Sequence, residues 1–244
     1  MKMYVANHGS DRIIESDNNE LESTYDFIPV KDILVPSPQL AIAHSTDAFD
    51  QRCEKILALR TELVMRCNST DGASMIAVLS PGVGEGRSQL AAELAIAFAR
   101  MNRPTLLVDA DFRNPKQHVL FGANNEGGLS QVIESDGTPD LYGVENLPEL
   151  LVMMAGEIPE NPLELLSSHK FALMIEYMRE NFEFVIFDTP PVSKFSDALV
   201  IANLIRNVLM LTRAEHTHYK NLRDMLRRLT ITNSQILGGV INHF

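Results

Sequence analysis

The fold class follows from the segment Gly82-Val83-Gly84-Glu85-Gly86-Arg87-Ser88, which comes directly after an apolar run at 74–79. An Ala- and Leu-rich stretch at 88–100 comes next, so the glycines are expected to join a strand to a helix. Glycines let consecutive backbone N–H groups turn inward, and a helix N-terminus adds a positive partial charge. The segment therefore predicts a phosphate-binding loop.

Two side chains of this loop suit a nucleotide that carries magnesium. Arg87 would reach the β- and γ-phosphates, and the Ser88 hydroxyl would ligate the Mg²⁺ that accompanies ATP. The standard pattern G-x-x-x-x-G-K-[ST] is not met, because Pro81 stands at the first glycine position and Arg87 replaces lysine. Arginine keeps the charge but is bulkier and planar, so affinity or rate is expected to change. On the loop alone, a glycine turn that holds no ligand stays a competing interpretation.

Three carboxylates strengthen the nucleotide hypothesis. Asp109 and Asp111 end the apolar run at 105–108, and alternation along a strand puts both on one side. Asp188 ends the run at 184–187, where it would hold Mg²⁺ through water. One strand-end aspartate is usually a cap or a turn former. Three of them beside a glycine loop predict a Mg-ATP site.

Apolar runs alternate with helical patterns along the rest of the chain. The predicted strands are 74–79, 105–108, 150–154, 184–187, 208–211 and 236–241, and the predicted helices are 48–66, 88–100, 161–180, 196–205 and 217–229. This alternation predicts a three-layer α/β/α P-loop NTPase fold with a mainly parallel central sheet. We expect residues 1–47, which are polar, acidic and proline-containing, to form an extended arm, and residues 48–244 to form the domain.

The composition of the chain restricts the kinds of partner and the compartment that we expect for the protein. A formal charge of −11 and a pI of about 5.1 disfavour nucleic acid, because phosphate backbones require clustered Lys and Arg. The two cysteines, Cys53 and Cys67, lie in one predicted helix about 21 Å apart, too far for a disulfide, which suits a reducing cytoplasm. His216 and His218 are expected to be solvated polar residues. With no signal peptide and no run long enough to cross a bilayer, we expect a cytoplasmic protein without direct membrane insertion.

The sequence resembles the bacterial tyrosine autokinases of exopolysaccharide and capsule assembly, relatives of the MinD and ParA ATPases. The resemblance spans about residues 36–242, and the loop and the R-N-P-K-Q-H stretch at 113–118 are most similar to the chain-length-determinant (EpsG-like) branch. The matching stretches are 60–63 (R-T-E-L), 80–88, 106–121 (with D-A-D-F-R-N-P), 155–162 (A-G-E-I-P-E-N-P), 187–191 (F-D-T-P-P) and 239–242 (G-V-I-N).

The resemblance implies roles for individual residues. Ser88 and Asp188 would hold Mg²⁺, and Asp109 would help to deprotonate the acceptor tyrosine beside the metal, with Asp111 supporting the metal shell. The full expected set is catalytic Asp109, Asp111 and Arg87; metal-binding Ser88, Asp109 and Asp188; and nucleotide-binding Gly82, Val83, Gly84, Glu85, Gly86, Arg87, Ser88, Gln89 and, near the adenine, Asn242. The implied reaction is in-line transfer of the γ-phosphoryl group of Mg-ATP to a tyrosine hydroxyl.

The family also implies partners. A membrane-embedded chain-length determinant would activate the protein and recruit it to the inner membrane. Family kinases form rings through an E-x-x-R-x-x-R helix, which reads Glu54, Leu57 and Arg60 here, so the middle arginine is missing and a solvated helix face is an equal alternative. The sequence ends at Phe244 without a tyrosine cluster, and its five tyrosines are dispersed. Tyr4 and Tyr25 are expected to be the accessible acceptors, and Tyr177 to be packed.

Two other functions compete with the kinase. A nucleotide-binding regulator of polysaccharide export with little or no kinase activity is suggested by Arg87 and by the incomplete helix motif. A positioning ATPase similar to MinD or ParA ranks lower, because those proteins use a lysine at the second loop position, where this chain has Gly82, and because the chain lacks the amphipathic carboxy-terminal helix of MinD.

Overall fold

The computed structural model describes residues 30–44, 50–67, 72–135 and 139–243. Their strands are β1 Val30–Leu34, β2 Ser74–Leu79, β3 Thr105–Asp109, β4 Leu141–Val144, β5 Leu147–Met153, β6 Phe184–Asp188, β7 Asn207–Arg213 and β8 Gln235–Asn242. Their helices are α1 Ala41–His44, α2 Gln51–Arg66, α3 Arg87–Ala99, α4 Gln117–Leu120, α5 Leu129–Ser135, α6 Pro162–Leu166, α7 His169–Asn181, α8 Asp197–Ile205 and α9 Tyr219–Leu229.

The strands of the described residues form one sheet in the order β1-β4-β5-β3-β6-β2-β7-β8. Every neighbouring pair is parallel except β4 and β5, which are antiparallel. β2 therefore lies between β6 and β7, at the centre of the parallel region. The expected mainly parallel sheet is confirmed.

Helices cover both faces of this sheet. Alternate residues of β2 point to opposite sides, so Ile76 belongs to the apolar core that includes residues of α2 and α3, while Met75 belongs to the core that includes residues of α7 and α8. α3 is buried along almost its whole length, which explains why its sequence is apolar on every side. Two apolar cores separated by a sheet make the three-layer α/β/α architecture that the alternation predicted.

Two predicted helices differ in their boundaries from the helices in the structure. α2 begins at Gln51 because the Asp50 carboxylate caps it, accepting from the N–H groups of Arg52 and Cys53. Residues 48 and 49 of that predicted helix lie outside the described residues. The predicted helix at 161–180 is two helices, α6 and α7, because the Ser168 hydroxyl accepts from the Phe171 N–H and starts a new helix.

Two strands and three short helices, namely β1, β4, α1, α4 and α5, had no predicted counterpart. β1 and α1 fall within the stretch assigned to the arm, and here they pack on the domain through Leu34, Leu40 and Ile42. β1 pairs in parallel with β4, more than a hundred residues later, and the Lys31 ammonium bonds Asp140 over 2.8 Å at the same edge. Residues 1–29 and 45–47 of the arm lie outside the described residues.

Candidate functional site

The glycine loop leaves β2 and enters α3 as expected. Gly84 and Gly86 have φ angles of +75° and +97°, a left-handed conformation that other residues rarely adopt. Gly86 directly precedes the first residue of α3, so the loop amides and the helix N-terminus share one small region. The local sequence therefore builds, at the centre of the sheet, a turn of the kind that can bind an anion.

Asp109 and Asp188 face each other across two neighbouring strands. They are register partners at the ends of β3 and β6, and both are fully buried. Burial raises the pKa of Asp109 well above its ordinary value, and the charge of Asp188 raises it further. The sequence prediction that these acids meet at one end of the sheet is confirmed.

The Asp109 carboxylate is held by backbone amides. Its Oδ2 accepts from the N–H groups of Lys116 and Gln117 at 3.0 and 2.9 Å, and its Oδ1 accepts from Asp111 at 3.2 Å. These bonds fix the start of α4 against the end of β3. Asp109 therefore organises the D-A-D-F-R-N-P segment in addition to any chemical role.

Asp188 has one oxygen bonded and one oxygen free. Its Oδ2 accepts from Nε2 of Gln117 at 2.8 Å, whereas its Oδ1 is buried without a hydrogen-bond partner among the described residues. Burial raises the pKa of Asp188 to about 6, while the neighbouring Ser88 hydroxyl and the Arg87 charge lower it. A buried carboxylate oxygen without a partner is costly unless a cation occupies the space beside it.

This unpartnered oxygen fits Mg²⁺. Asp188 Oδ1 and the nearby Ser88 hydroxyl are both oxygen ligands of the kind that Mg²⁺ takes, with phosphates and water completing the shell. Within the described residues, no group of three or more His, Cys, Asp or Glu side chains could hold a metal ion.

Asp111 turns its carboxylate towards the following loop. Its Oδ1 accepts from the N–H groups of Arg113 and Asn114 at 3.1 and 3.0 Å, and its Oδ2 lies 3.9 Å from Nη2 of Arg87. Burial raises its pKa, and the amides and Arg87 oppose that effect. Asp111 is thus the acidic partner of the unusual arginine.

Arg87 folds back inside the loop. Its Nε donates to the Thr189 carbonyl at 2.7 Å, and its Nη1 donates to the Gly82 carbonyl at 2.6 Å and to the Ser80 hydroxyl. Only 8% of the residue is exposed. The guanidinium therefore ties the loop to the segment after Asp188, a fork of bonds that a single lysine ammonium could not make in the same plane.

Glu85 also points into the loop. Its Oε2 accepts from the Gly82 N–H at 2.8 Å, and its Oε1 accepts from the Thr217 hydroxyl at 2.5 Å. Only 1% of Glu85 is exposed. A carboxylate thus accepts from one amide of the predicted phosphate-binding turn, a contact that the sequence did not reveal.

The segment at residues 213–217, which begins at the last residue of β7 and leads towards α9, lies against the loop. Arg213 Nη1 donates to the Gly84 carbonyl at 3.2 Å, and Nε2 of His216 lies 3.2 Å from the Val83 carbonyl. Asn242 adds a bond from its Nδ2 to the Glu85 carbonyl at 3.2 Å. The structure therefore brings Asn242 to the loop, and it places His216, expected to be solvated, in contact with it.

Gln89, which the sequence predicted to bind nucleotide, is not directed into the site, whereas Gln117, which had no predicted role, is. Gln89 bonds the Gln39 carbonyl and Glu93 with its side chain, so its polar group is directed to α3 and residue 39. Gln117, which was quoted only within the R-N-P-K-Q-H stretch, is fully buried and joins Asp188 to the Ser88 carbonyl at 3.0 Å. The sequence signal that could have identified Gln117 was its place in the R-N-P-K-Q-H stretch that follows D-A-D.

The residues expected to support a ring lie on α2. Glu54 is exposed, whereas Arg60 donates from Nη1 to the Ala97 carbonyl at 2.9 Å and so anchors α2 to α3. Arg52 and the buried Glu93 connect the same two helices through a two-bond ion pair. In the described part of the chain, no helix is both long and apolar enough to span a bilayer.

Comparisons with known proteins give a consistent result. The chain is 31% identical to the putative tyrosine-protein kinase CapB of Staphylococcus aureus over 78% of this chain and 83% of CapB. It is 31% identical to the tyrosine-protein kinase CpsD of Streptococcus pneumoniae over 84% of this chain and 90% of CpsD. The match to the putative tyrosine-protein kinase EpsB of Ralstonia nicotianae, 28% identical, covers 90% of this chain but 30% of EpsB. No protein-family model matches the chain.

Solved structures agree with these relatives. The chimerical protein CapA2B2 superposes with a TM-score of 0.77 at 31% identity, over 88% of this chain and 94% of that one. The kinase domain of Escherichia coli tyrosine kinase ETK gives 0.76 at 26% identity, over 85% and 80%. Apo McdA, with a TM-score of 0.59 at 16% identity over 68% and 71%, shares the fold alone.

Proposed function

The chain belongs to the bacterial tyrosine-protein kinases of capsule and exopolysaccharide synthesis, and we propose that it transfers the γ-phosphoryl group of Mg-ATP to tyrosine hydroxyls. The observation that carries the proposal is the buried, unpartnered Oδ1 of Asp188 beside Ser88, at the mouth of a glycine loop. Burying a carboxylate oxygen without a hydrogen-bond partner destabilises the fold, and a cation bound beside Asp188 Oδ1 would remove that destabilisation.

The loop would bind the phosphates. The loop amides other than that of Gly82, which donates to Glu85, and the N-terminus of α3 would supply positive potential, and Ser88 and Asp188 would supply oxygen ligands for the metal. Mg²⁺, when bound, would neutralise charge on the phosphates. Arg87 would contribute its guanidinium from inside the loop, within reach of Asp111.

Asp109 would receive the tyrosine proton. Its pKa is raised by burial and by Asp188, which makes it a better base than an exposed aspartate. Asp109 is completely buried and bonded to the amides of Lys116 and Gln117, so the acceptor reaches it only when the start of α4 moves. Asp111 would position Arg87 during this step.

The biological role we propose is control of polysaccharide chain length or export. A membrane-embedded chain-length determinant would activate the kinase and bring this cytoplasmic domain to the inner membrane. Self-association would use α2, where Glu54 is exposed, although Arg60 already bonds Ala97 within the same chain. Neither nucleic acid binding nor direct membrane insertion is part of the proposal.

A second candidate is a nucleotide-binding regulator with weak or no kinase activity. The observation that favours it is the loop interior, where Arg87 is bonded to Gly82 and Thr189 and where Glu85 occupies the Gly82 amide. A positioning ATPase similar to MinD or ParA ranks below both, because Gly82 stands at the second loop position.

One experiment separates these functions. The chain is incubated with Mg-ATP, the cytoplasmic tail of the activator and poly(Glu,Tyr), and phosphotyrosine is measured by mass spectrometry while nucleotide binding is measured by calorimetry. A kinase yields phosphotyrosine that is lost in Asp109→Asn, a variant with nearly the same shape. Tight Mg-ATP binding without phosphotyrosine would establish the regulator, and a signal that persists in Asp109→Asn would refute the role of Asp109.

A further inference from the structure

An open groove lies between α7, α8 and the turn that follows α9, on one face of the sheet. Its volume is about 740 Å³, and its apolar walls include Ala172 of α7, Val200 and Leu204 of α8, and Ile231. Ile231 is 83% exposed. A groove of this size can accept several apolar side chains of a short segment.

The charges around the groove are positive. Although the chain has 32 Asp and Glu residues, none of the described side chains that line the groove is acidic. Three arginines stand at its rim: Arg206 directly follows α8, Arg227 precedes Ile231 by four residues, and Arg228 donates to the Ser196 hydroxyl at 2.9 Å. An apolar groove with a positive rim favours an occupant that carries apolar side chains among carboxylates.

Residues 11–22 of the chain have this composition. They read D-R-I-I-E-S-D-N-N-E-L-E, with five carboxylates, one arginine, and the large apolar side chains of Ile13, Ile14 and Leu21. The segment lies outside the described residues, which begin at Val30, the first residue of β1. Its side chains therefore complement both the walls and the rim of the groove.

The segment is also close enough to reach the groove. Val30 packs on the apolar core that contains α7 and α8, so the chain enters β1 on the same side of the sheet as the groove. β1 lies five strands from β2, on which α8 packs, which corresponds to about 24 Å. The eight residues from Glu22 to Val30 extend up to about 28 Å. Residues 11–22 can therefore lie along the groove of their own chain.

We propose that this groove binds residues 11–22 of the same chain, with the apolar side chains against its walls and the carboxylates beside the arginines of its rim. The inference goes beyond the proposed function and does not depend on it. A segment tethered in this way has an effective concentration on the order of 1 mM at the groove. A groove that bound the free segment with a Kd of only about 0.1 mM would then hold about nine-tenths of it.

An indole can report the binding, because the chain contains no tryptophan. In the full chain, Leu21→Trp should show blue-shifted emission and weak quenching by acrylamide, since the groove shields the indole from water. Arg227→Glu in this background should shift the emission to the red and strengthen the quenching, and high salt should do the same. Lys55→Glu, the matched control, makes the same charge change at an exposed position of α2 and should leave the emission unchanged.

A second variant tests the walls of the groove. Ile231→Asp places a carboxylate there at a side chain that is already 83% exposed, so the fold should be kept, which circular dichroism checks. The variant should expose the indole of Leu21→Trp. An indole that is exposed to water when the groove is unaltered, or an emission that neither Arg227→Glu nor Ile231→Asp changes, would overturn the proposal.

Dilution distinguishes one chain from two. Binding within one chain predicts a blue shift that does not depend on protein concentration. An emission that moves to the red on dilution would mean that the groove of a second copy binds the segment, which would overturn binding within the same chain.

Discussion

Nε of Arg87 donates to the backbone carbonyl of Thr189 over 2.7 Å, so the glycine loop is bonded to the residue that follows Asp188. The same guanidinium bonds Gly82 within the loop. The arginine that departs from the usual loop pattern therefore has a structural role, which gives a prediction about stability as well as activity.

Replacing Arg87 with Met should lower the free energy of unfolding by about 2–3 kcal/mol, because a charged donor to the buried Thr189 carbonyl and the partly buried Gly82 carbonyl is lost. Urea unfolding measures this. Arg87→Lys, the matched control, keeps the charge and one bond, so it should lose less stability and retain nucleotide binding. An unfolding midpoint of Arg87→Met equal to that of the unaltered protein would show that the fork of bonds has no structural importance.

Replacing Asp188 with Asn should stabilise the protein near neutral pH. Because burial raises the pKa of Asp188 to about 6, the folded state holds this proton more tightly than the unfolded state, whose pKa is near 3.8. The associated stability is complete below the unfolded pKa and is lost as pH rises through about 6. The variant should therefore gain on the order of 1–3 kcal/mol at pH 7 and nothing at pH 3.5.

Denaturation curves at several pH values test that prediction, and the same variant should lose metal-dependent nucleotide binding. For the unaltered protein, we expect the thermal stabilisation by Mg-ATP to grow between pH 5 and pH 7, since the metal favours the ionised carboxylate. A stabilisation independent of pH would argue that Asp188 does not hold the metal.

Replacing Gln117 with Ala should weaken Mg-ATP binding about tenfold, because the amide that orients the Asp188 carboxylate is lost. Calorimetry measures the effect. Gln89→Ala is the control, since the Gln89 side chain bonds Gln39 and Glu93 instead. An equal loss in both variants would show that Gln117 does not position Asp188.

Replacing Glu85 with Gln should tighten ATP binding by roughly threefold to tenfold, because a carboxylate inside an anion-binding turn repels phosphate. The amide keeps the shape of the side chain and can still accept from Gly82. Thr217→Val removes the other bond to Glu85 without changing its charge, so it serves as the control. Weaker binding in Glu85→Gln would instead mean that the carboxylate supports the loop.

Replacing Arg113 with Ala should destabilise the domain by about 1–3 kcal/mol, since it leaves the buried Asp197 carboxylate without its two-bond partner. Arg113 also lies 4.6 Å from the Phe195 ring, and that contact is lost too. Urea unfolding should show a smaller loss when Asp197→Asn accompanies Arg113→Ala. Lys31→Ala, which breaks the exposed pair with Asp140, should change stability little.

The sequence predicted the central architecture because the buried parallel strands are continuous apolar runs and the loop is marked by glycines. The same reasoning brought Asp109 and Asp188 together, since the ends of parallel strands share an edge. It did not find β1 or β4. β1 lies at the sheet edge and reads Val-Lys-Asp-Ile-Leu, with two charged residues and neither a continuous apolar run nor a strict alternation, and β4 has only four residues, one of them Gly143.

The contacts within the site were less predictable. Thr217 and Glu85 are 132 residues apart, and no local pattern shows that a hydroxyl after β7 would bond a carboxylate after β2. The direction of the Arg87 side chain depends on the Thr189 carbonyl, and the importance of Gln117 depends on how α4 turns after Asp109. These side-chain contacts follow from tertiary packing, whereas residue types and spacing identify only which residues can take part in the site.

The bond between Asn242 and the Glu85 carbonyl has a consequence for synthesis of the protein. The loop is joined to a residue 157 positions further along the chain. At about 5–20 residues per second, the ribosome needs roughly 8–30 s to add that stretch. During this time the glycine segment has been synthesised but β8, which carries Asn242, has not, so the loop gains this bond only after residue 242 has been translated.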